Sequence, residues 1–365
     1  LPTPAIAYLS NKLNADIGVS ITASHNPFED NGIKLFSNKG TKLSESIERE
    51  IENLASDNLK VVPAERLGKA RRLDDGKDKY IQFCINTFPD NKKMNGLKII
   101  LDCANGATYK VAPVIFQQLG ANITVINNKP DGLNINQDAG SIHPEFLQKE
   151  VLKQNADLGI AFDGDGDRII MVDEKGQLVD GDQVLYLILK FYLQQKNMSG
   201  GLVGTLMTNL ALEEKCNELE IPFIRADVGD KYVAEALRQK KWVIGGENSG
   251  HIVLLDKHTT GDGIISALQL LAFLVSNKIS LNDALKELPM YAQKLINIPL
   301  WDEFNVTSTE VISLIKEANI LMCGKGRVLI RPSGTQPVIR IMTEGPDRNL
   351  VDKSADFLAE KIKDH

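Results

Sequence analysis

The sequence predicts an α/β protein: three similar mixed-sheet α/β domains followed by a small C-terminal α+β domain. Three observations carry this. Apolar runs of strand length alternate with amphipathic stretches of helical period along most of the chain. A strand–helix–strand rhythm runs through the first three domains. After Pro299 the pattern becomes short and mixed. The domains expected are residues 1–79, 80–178, 179–298 and 299–365, a division that a chain of 365 residues accommodates.

In the first domain, residues 3–13 read as a helix and 17–22 as a strand running to Ser24. Residues 32–36 read as a second short strand, and 44–54 as a helix with Ser44 as its cap. The charged, irregular stretch 60–78 leads to a connecting helix over 79–88. The second domain has strands over 97–101, 122–126, 158–162 and 169–172, with helices over 110–119 and 144–154. The third has helices over 182–195, 210–219, 231–239 and 262–275, and strands over 201–207, 242–245 and 251–255. The last has helices over 306–319 and 349–363 and strands over 327–331 and 338–343.

Hydrophobic residues make up 43% and charged residues 25%, the balance of a water-soluble globular chain. The net charge of -6, with Lys and Arg dispersed, argues against a nucleic-acid surface. No apolar run reaches about 18 residues, so no membrane span is expected. The four cysteines lie far apart with no Cys-x-x-Cys pair and read as reduced thiols of a cytoplasmic protein. No signal peptide is present, and because the chain opens at Leu1 rather than Met, an N-terminal piece is expected to be absent from it. Assembly is left open, a homodimer being compatible with the sequence.

Four short segments carry the chemistry. In Phe162-Asp163-Gly164-Asp165-Gly166-Asp167-Arg168, three carboxylates alternate with glycines between two strand-like runs. The two glycines let the backbone curl so that the carboxylates converge, and a hard divalent cation such as Mg²⁺ takes oxygen donors of this kind. A solvated acidic turn is the plain alternative. A calcium loop is the sharper one, since Asp163, Asp165 and Asp167 take positions one, three and five and Glu174 takes position twelve. Arg168, however, stands where that loop turns on glycine, and strands rather than helices flank it.

In Thr22-Ala23-Ser24-His25-Asn26-Pro27 a hydroxyl lies in a polar turn fixed by proline. Such a serine is most often a turn residue. Beside a metal it becomes a candidate phosphoryl carrier and ligand, because the cation neutralises charge on the transferring group. Lys34 downstream is a candidate to move the proton or neutralise the bridging oxygen, and Arg168 to pair with the carboxylates or reach the phosphate. The turn Gly245-Gly246-Glu247-Asn248-Ser249-Gly250-His251 offers donors and acceptors suited to sugar hydroxyls or an amine, with His251 a candidate acid–base group. Arg331, Ser333, Gly334, Thr335 and Arg340 offer a guanidinium fork, hydroxyls and free backbone N–H groups for a phosphate.

Taken in order, the TASHNP, DGDGDR, GGENSGH and RPSGTQP segments resemble the α-D-phosphohexomutase superfamily over essentially the whole chain. Val228-Gly229-Asp230-Lys231-Tyr232-Val233, Pro130–Asn136 and Thr259–Gly263 are similar to its amino-sugar branch. The resemblance implies a heart-shaped, four-domain enzyme with a central cleft. It implies interconversion of glucosamine 6-phosphate and glucosamine 1-phosphate, with glucose or mannose phosphates as the alternative substrates. It implies one Mg²⁺ per chain on Ser24, Asp163, Asp165 and Asp167, and a phosphorylated Ser24 primed by a sugar 1,6-bisphosphate. Ser24, Lys34, Arg168 and His251 would be catalytic. Asp230, Lys231, Glu247, Asn248, Ser249, Arg331, Ser333, Gly334, Thr335 and Arg340 would bind the sugar phosphate. The product would feed synthesis of an activated amino sugar. Two residues depart from the branch: Lys231 stands where it has Arg, and Gln336 where it has Glu. Two other classes remain open on the residues alone: an Mg²⁺-dependent phosphatase, and a calcium-stabilised sugar-binding module without turnover.

Overall fold

The computed structural model describes residues 1–56, 61–299, 305–332 and 338–363. They form two compact bodies, Leu1–Met207 with Ile221–Lys286, and Thr208–Glu220 with Glu287–His365.

The first body opens with α1 (Thr3–Lys12), which begins on Pro2 and Pro4 and buries Ala5, Ala7 and Leu9. The strands β1 (Ile17–Ile21) and β2 (Ile33–Ser37) pair antiparallel, with Ser20 opposite Lys34. The small residues Gly18 and Ser20 are the buried ones in β1, while Ile17, Val19 and Ile21 are exposed. A reading that puts every apolar side chain inside would therefore misplace this strand. The helices α2 (Glu45–Ser56) and α3 (Gly76–Ile85) follow.

Next come β3 (Lys98–Asp102), α4 (Ala112–Gln118), β4 (Asn122–Ile126), α5 (Glu145–Gln154), β5 (Leu158–Phe162), β6 (Ile169–Asp173) and β7 (Leu178–Val179). Their sheet has the order β4-β3-β5-β6-β7. β3 pairs parallel with β4 and β5; β5–β6 and β6–β7 are antiparallel. β5 and β6 are buried along their whole length, which is why both read as continuous apolar runs.

The helix α6 (Gly181–Gln194) starts on a capping box made by Asp180 and Gln183. After it come β8 (Leu202–Thr205), then α7 (Leu210–Glu218) of the second body, then β9 (Phe223–Ala226), α8 (Asp230–Lys240), β10 (Ile244–Gly246), β11 (Ile252–Leu254), α9 (Gly263–Asn277) and α10 (Leu281–Leu285). This sheet runs β11-β10-β8-β9. α9 is buried nearly all round and is capped by Asp262, which accepts from the Ile264 and Ile265 N–H groups. Tyr80 on α3 donates to the other Asp262 oxygen at 2.8 Å, tying α3 to the start of α9.

The second body adds β12 (Ala292–Pro299), α11 (Thr309–Leu321), β13 (Arg327–Pro332), β14 (Val338–Gly345) and α12 (Arg348–Lys363). β14 lies between β12 and β13, antiparallel to both. Ile298, Ile330, Ile339 and Ile341 pack with Val311, Leu314, Leu358 and Ile362 of the two long helices.

Three strands are absent from the sequence expectation, of which β7 is only two residues long. β9 is four residues of intermediate burial at a sheet edge, and β12 carries Gln, Lys and Asn on a half-exposed edge, so neither shows clean alternation. No helix among the described residues is long and apolar enough to cross a membrane.

Candidate active site

The serine turn spans the gap between β1 and β2, closed at its base by the Thr22 N–H donating to Gly32 O at 2.8 Å. Within it Ser24 is left-handed, with φ of 57°. A non-glycine residue there costs about 1–3 kcal/mol, so neighbours must hold it. The Ser24 N–H donates to Thr22 Oγ1 at 2.8 Å. Its hydroxyl donates to Asp163 Oδ2 at 2.7 Å, and His25 Nδ1 lies 3.4 Å from the same Oγ. Serine and carboxylate are 139 positions apart and meet as their residue types require.

Asp163, Asp165 and Asp167 leave the end of β5 together and are all buried. One oxygen from each lies within 4.8 Å of the others, the one such cluster among the described residues. Lys34 bridges two of them, 2.6 Å from Asp165 Oδ2 and 2.8 Å from Asp167 Oδ2. Thr3 Oγ1 adds a 2.7 Å bond to Asp165 Oδ2, and the Arg168 N–H donates to Asp163 Oδ1 at 3.0 Å. Burial, with Asp167 and Asp165 nearby, pushes the Asp163 carboxyl well above its usual range. Burial would do the same to Asp167, but the charges of His251 and Lys34 hold it well below. Burial also works against the Lys34 ammonium, yet Asp167 and Asp165 raise its pKa.

The set suits a hard divalent cation. All three donors are oxygen; Asp165 Oδ1 is buried without a hydrogen-bond donor, and Asp167 Oδ1 has only His251 Nδ1 at 3.5 Å. The ligands that could hold the ion are therefore Asp163, Asp165 and Asp167, with the Ser24 oxygen at their edge.

The turn between β10 and β11 packs against this loop. The Ile169 N–H donates to Gly250 O at 3.1 Å, and a Cβ on Gly250 would come within 1.9 Å of Ile169 O, so no side chain fits there. Glu247 is buried and accepts the Gly229 N–H at 2.9 Å. Asn248 joins the turn to α6 through Gly181 N–H to its carbonyl at 3.0 Å. Ser249 Oγ and Arg168 Nε are buried without partners.

His251 is only 3% exposed and stands between two acids, Nδ1 3.5 Å from Asp167 Oδ1 and Nε2 3.5 Å from Asp230 Oδ2. Burial alone would lower its pKa; Asp167 and Asp230 raise it. Asp230, at the start of α8, is half-buried, which works against its charged form, but His251 and Lys42 bring it down to about 2. Lys42 forms an ion pair with Asp230, and Lys231 forms one with Glu45 while its Nζ lies 4.7 Å from the Tyr232 ring centre. Lys34, Lys42, Asp230, Lys231 and His251 line one cavity of about 640 Å³.

In the second body Arg331 and Arg340 are direct cross-strand partners on β13 and β14. Each has a buried Nε without a partner. Burial and the charge of Arg340 lower the Arg331 pKa. Two guanidinium groups side by side with unused donors suit an anion. Ser333, Gly334, Thr335 and Gln336 lie outside the described residues.

Sequence reasoning missed four side chains in this region: Thr3, Ser20, Lys42 and Asn136. Thr3 Oγ1 reaches Ser20 Oγ at 2.9 Å as well as Asp165. Nothing local marks these residues, because their partners lie between 17 and 188 positions away. The polar Thr3 and Ser20, buried in otherwise apolar elements, are the one signal that points to them.

A fold of this layering, with a serine set on a carboxylate cluster and a sugar-sized cavity beside it, defines a class of phosphoryl-transfer proteins. The chain belongs to the phosphoglucomutase/phosphomannomutase family, whose alpha/beta/alpha domain I matches residues 1–61, domain II 78–176, domain III 180–291 and C-terminal domain 279–361. It is 52% identical over 364 residues to phosphoglucosamine mutase of Methylobacillus flagellatus, covering 100% of this chain and 80% of that protein. It is 50% identical to phosphoglucosamine mutase of Hahella chejuensis, over 100% of this chain and 82% of that protein. Among solved structures, a phosphoglucomutase/phosphomannomutase family protein from Burkholderia thailandensis has a TM-score of 0.79 at 22% identity, covering 100% of this chain and 81% of that one. Aspergillus fumigatus N-acetylphosphoglucosamine mutase, in complex with GlcNAc-6P and magnesium, has a TM-score of 0.77 at 19% identity, covering 99% and 92%.

Proposed function

We propose that the chain interconverts glucosamine 6-phosphate and glucosamine 1-phosphate through a phosphorylated Ser24 and a sugar bisphosphate. The observation that carries this is the Ser24 hydroxyl 2.7 Å from Asp163 inside the three-carboxylate cluster. Relatives named phosphoglucosamine mutase, about half identical over the full chain, support the amino-sugar substrate. One Mg²⁺ ion on Asp163, Asp165, Asp167 and the Ser24 oxygen would neutralise charge on the transferring group.

The chain's own residues do the rest. A sugar hydroxyl oxygen takes the phosphoryl group as the Ser24 Oγ–P bond breaks, and its proton leaves to a base. His251, held between Asp167 and Asp230, is the group assigned to that proton, and Lys34 balances the charge of Asp165 and Asp167. Arg168 faces the phosphate. Glu247, Asn248, Ser249, Asp230 and Lys231 read the sugar in either orientation. Arg331 and Arg340, with Ser333, Gly334 and Thr335, grip the phosphate that is not reacting. The four domains are assigned to residues 1–79, 80–178, 179–298 and 299–365, an order that the family's domain matches support.

Intact-mass analysis before and after exposure to glucose 1,6-bisphosphate tests the reading. One phosphoryl group should be gained, and none by Ser24→Ala. Turnover of glucosamine 1-phosphate should exceed that of glucose 1-phosphate; the reverse preference would move the chain to the glucose and mannose branch.

A further inference from the structure

We infer that Asn136 is the positioning residue that sets Ser24 for phosphoryl transfer, an assignment that rests on the phosphoserine reading above. Its side-chain amide spends both hydrogens on the serine turn, donating to Ser24 O at 3.0 Å and to Asn26 O at 2.8 Å. Those two carbonyls flank His25, so a single nitrogen fixes the turn that directly follows the left-handed Ser24. Asn136 is 4% exposed, and its own backbone is anchored by its N–H to Ala104 O at 2.9 Å.

The loop that delivers it is braced by its own hydrogen bonds. The Asp131 N–H donates to Asn134 Oδ1, the Leu133 N–H to Asp131 Oδ1, and Asn134 Nδ2 to Lys129 O. The metal loop closes the third side. A Cβ on Gly164 would fall 2.6 Å from Ser24 O and 2.7 Å from Asn136 Nδ2, so carbonyl, amide and loop backbone touch with no side chain between them. Asn136 meets no carboxylate of the cluster through a hydrogen bond in this arrangement; it acts on Oγ only by holding the backbone that carries it. Without the amide, two carbonyls lose a shared donor and the turn is free to leave its strained conformation, which carries Oγ away from Asp163.

The test uses the whole chain with Asn136→Ala and Asn136→Asp, the second nearly unchanged in volume and sufficient alone if alanine prevents folding. Deuterium exchange of residues 23–27 should speed up about tenfold, the worth of one hydrogen bond, while that of 158–162 and 169–173 stays at the parent level. Phosphoryl transfer to Ser24 from glucose 1,6-bisphosphate should slow by about 100-fold, the scale of a misplacement of 1 Å. Mn²⁺ affinity should hold. Parent-like exchange at 23–27, or parent-like transfer, overturns the assignment. So does a loss of Mn²⁺ affinity matching the loss of transfer, since Asn136 would then be supporting the metal loop. If the parent chain accepts no phosphoryl group, the phosphoserine reading fails, and the exchange comparison still decides on Asn136.

Discussion

The serine–carboxylate centre and the Arg331–Arg340 pair are built on opposite electrostatic plans. In the first, most charges meet an opposite, Asp163 being an exception among the acids. Lys34 bridges Asp165 and Asp167, His251 stands between Asp167 and Asp230, and Lys42 closes on Asp230. In the second, sheet register sets two guanidinium groups opposite each other with buried N–H donors unused. Like charges paired across a sheet are destabilising unless something answers them. One site carries an excess of carboxylate that would suit a cation; the other carries an excess of guanidinium that would suit an anion.

The largest expected effect breaks the first site outright. Ser24→Ala removes the acceptor oxygen and should abolish phosphoryl uptake from a sugar bisphosphate, read by intact mass. Because three carboxylates remain when the Ser24 oxygen is lost, Mn²⁺ binding should weaken but survive in the variant. Undiminished uptake on another side chain would sink the assignment of Ser24.

Acid separates the two bodies further. His258 donates from Nε2 to Pro4 O at 3.0 Å and accepts the Thr259 N–H on Nδ1 at 2.7 Å, which requires the neutral ring. Burial lowers its pKa from 6.5 to about 4. The unfolded chain therefore binds the proton first as pH falls. The stabilisation is complete above pH 6.5 and is lost on the way down to about 4, roughly 3 kcal/mol in all. Urea unfolding of the first body should show this slope and His258→Gln should flatten it. Equal slopes in the two proteins would show that other groups control the acid limb. Arg331 stays charged throughout that window.

These contrasts were unequally legible in the sequence. The carboxylate loop was readable because its three acids are local, spaced by glycine and bounded by two buried strands. The three candidate carboxylate ligands follow from five residues. Asn136, Thr3 and Lys42 were not readable, because their roles come from partners more than a hundred positions away. The same applies to β12, a half-exposed strand whose partner β14 starts 39 positions beyond its end. Strands buried on both faces announce themselves by composition; edge strands and polar contacts between distant segments depend on topology that one window of sequence does not contain.

Arg331→Ala sharpens the comparison at the second site. It should weaken inorganic phosphate binding by about 1.5–3 kcal/mol, the worth of a hydrogen bond to a charged group. It should also relieve the repulsion at Arg340, so thermal stability without phosphate should rise or hold. A fall in stability together with unchanged phosphate affinity would mean that the guanidinium is packing rather than binding.

The smallest effect is expected at the rim of the cavity. Lys231 pairs with Glu45 there, but both side chains are about half exposed, at 47% and 51%. Exposed pairs of this kind contribute about 0.2–1 kcal/mol. Lys231→Arg keeps the charge and adds a fork, so stability should change by less than about 1 kcal/mol and the KM for glucosamine 6-phosphate by only a few-fold. Glu45→Gln gives the control, since it removes the pair without touching Lys231. If Lys231→Arg lowers KM strongly while Glu45→Gln does nothing, the cation acts on the substrate itself. If the two variants move together, Lys231 acts by tying residue 45 to the start of α8, and the rim then follows the plan of the serine centre, charge answered by charge within the chain.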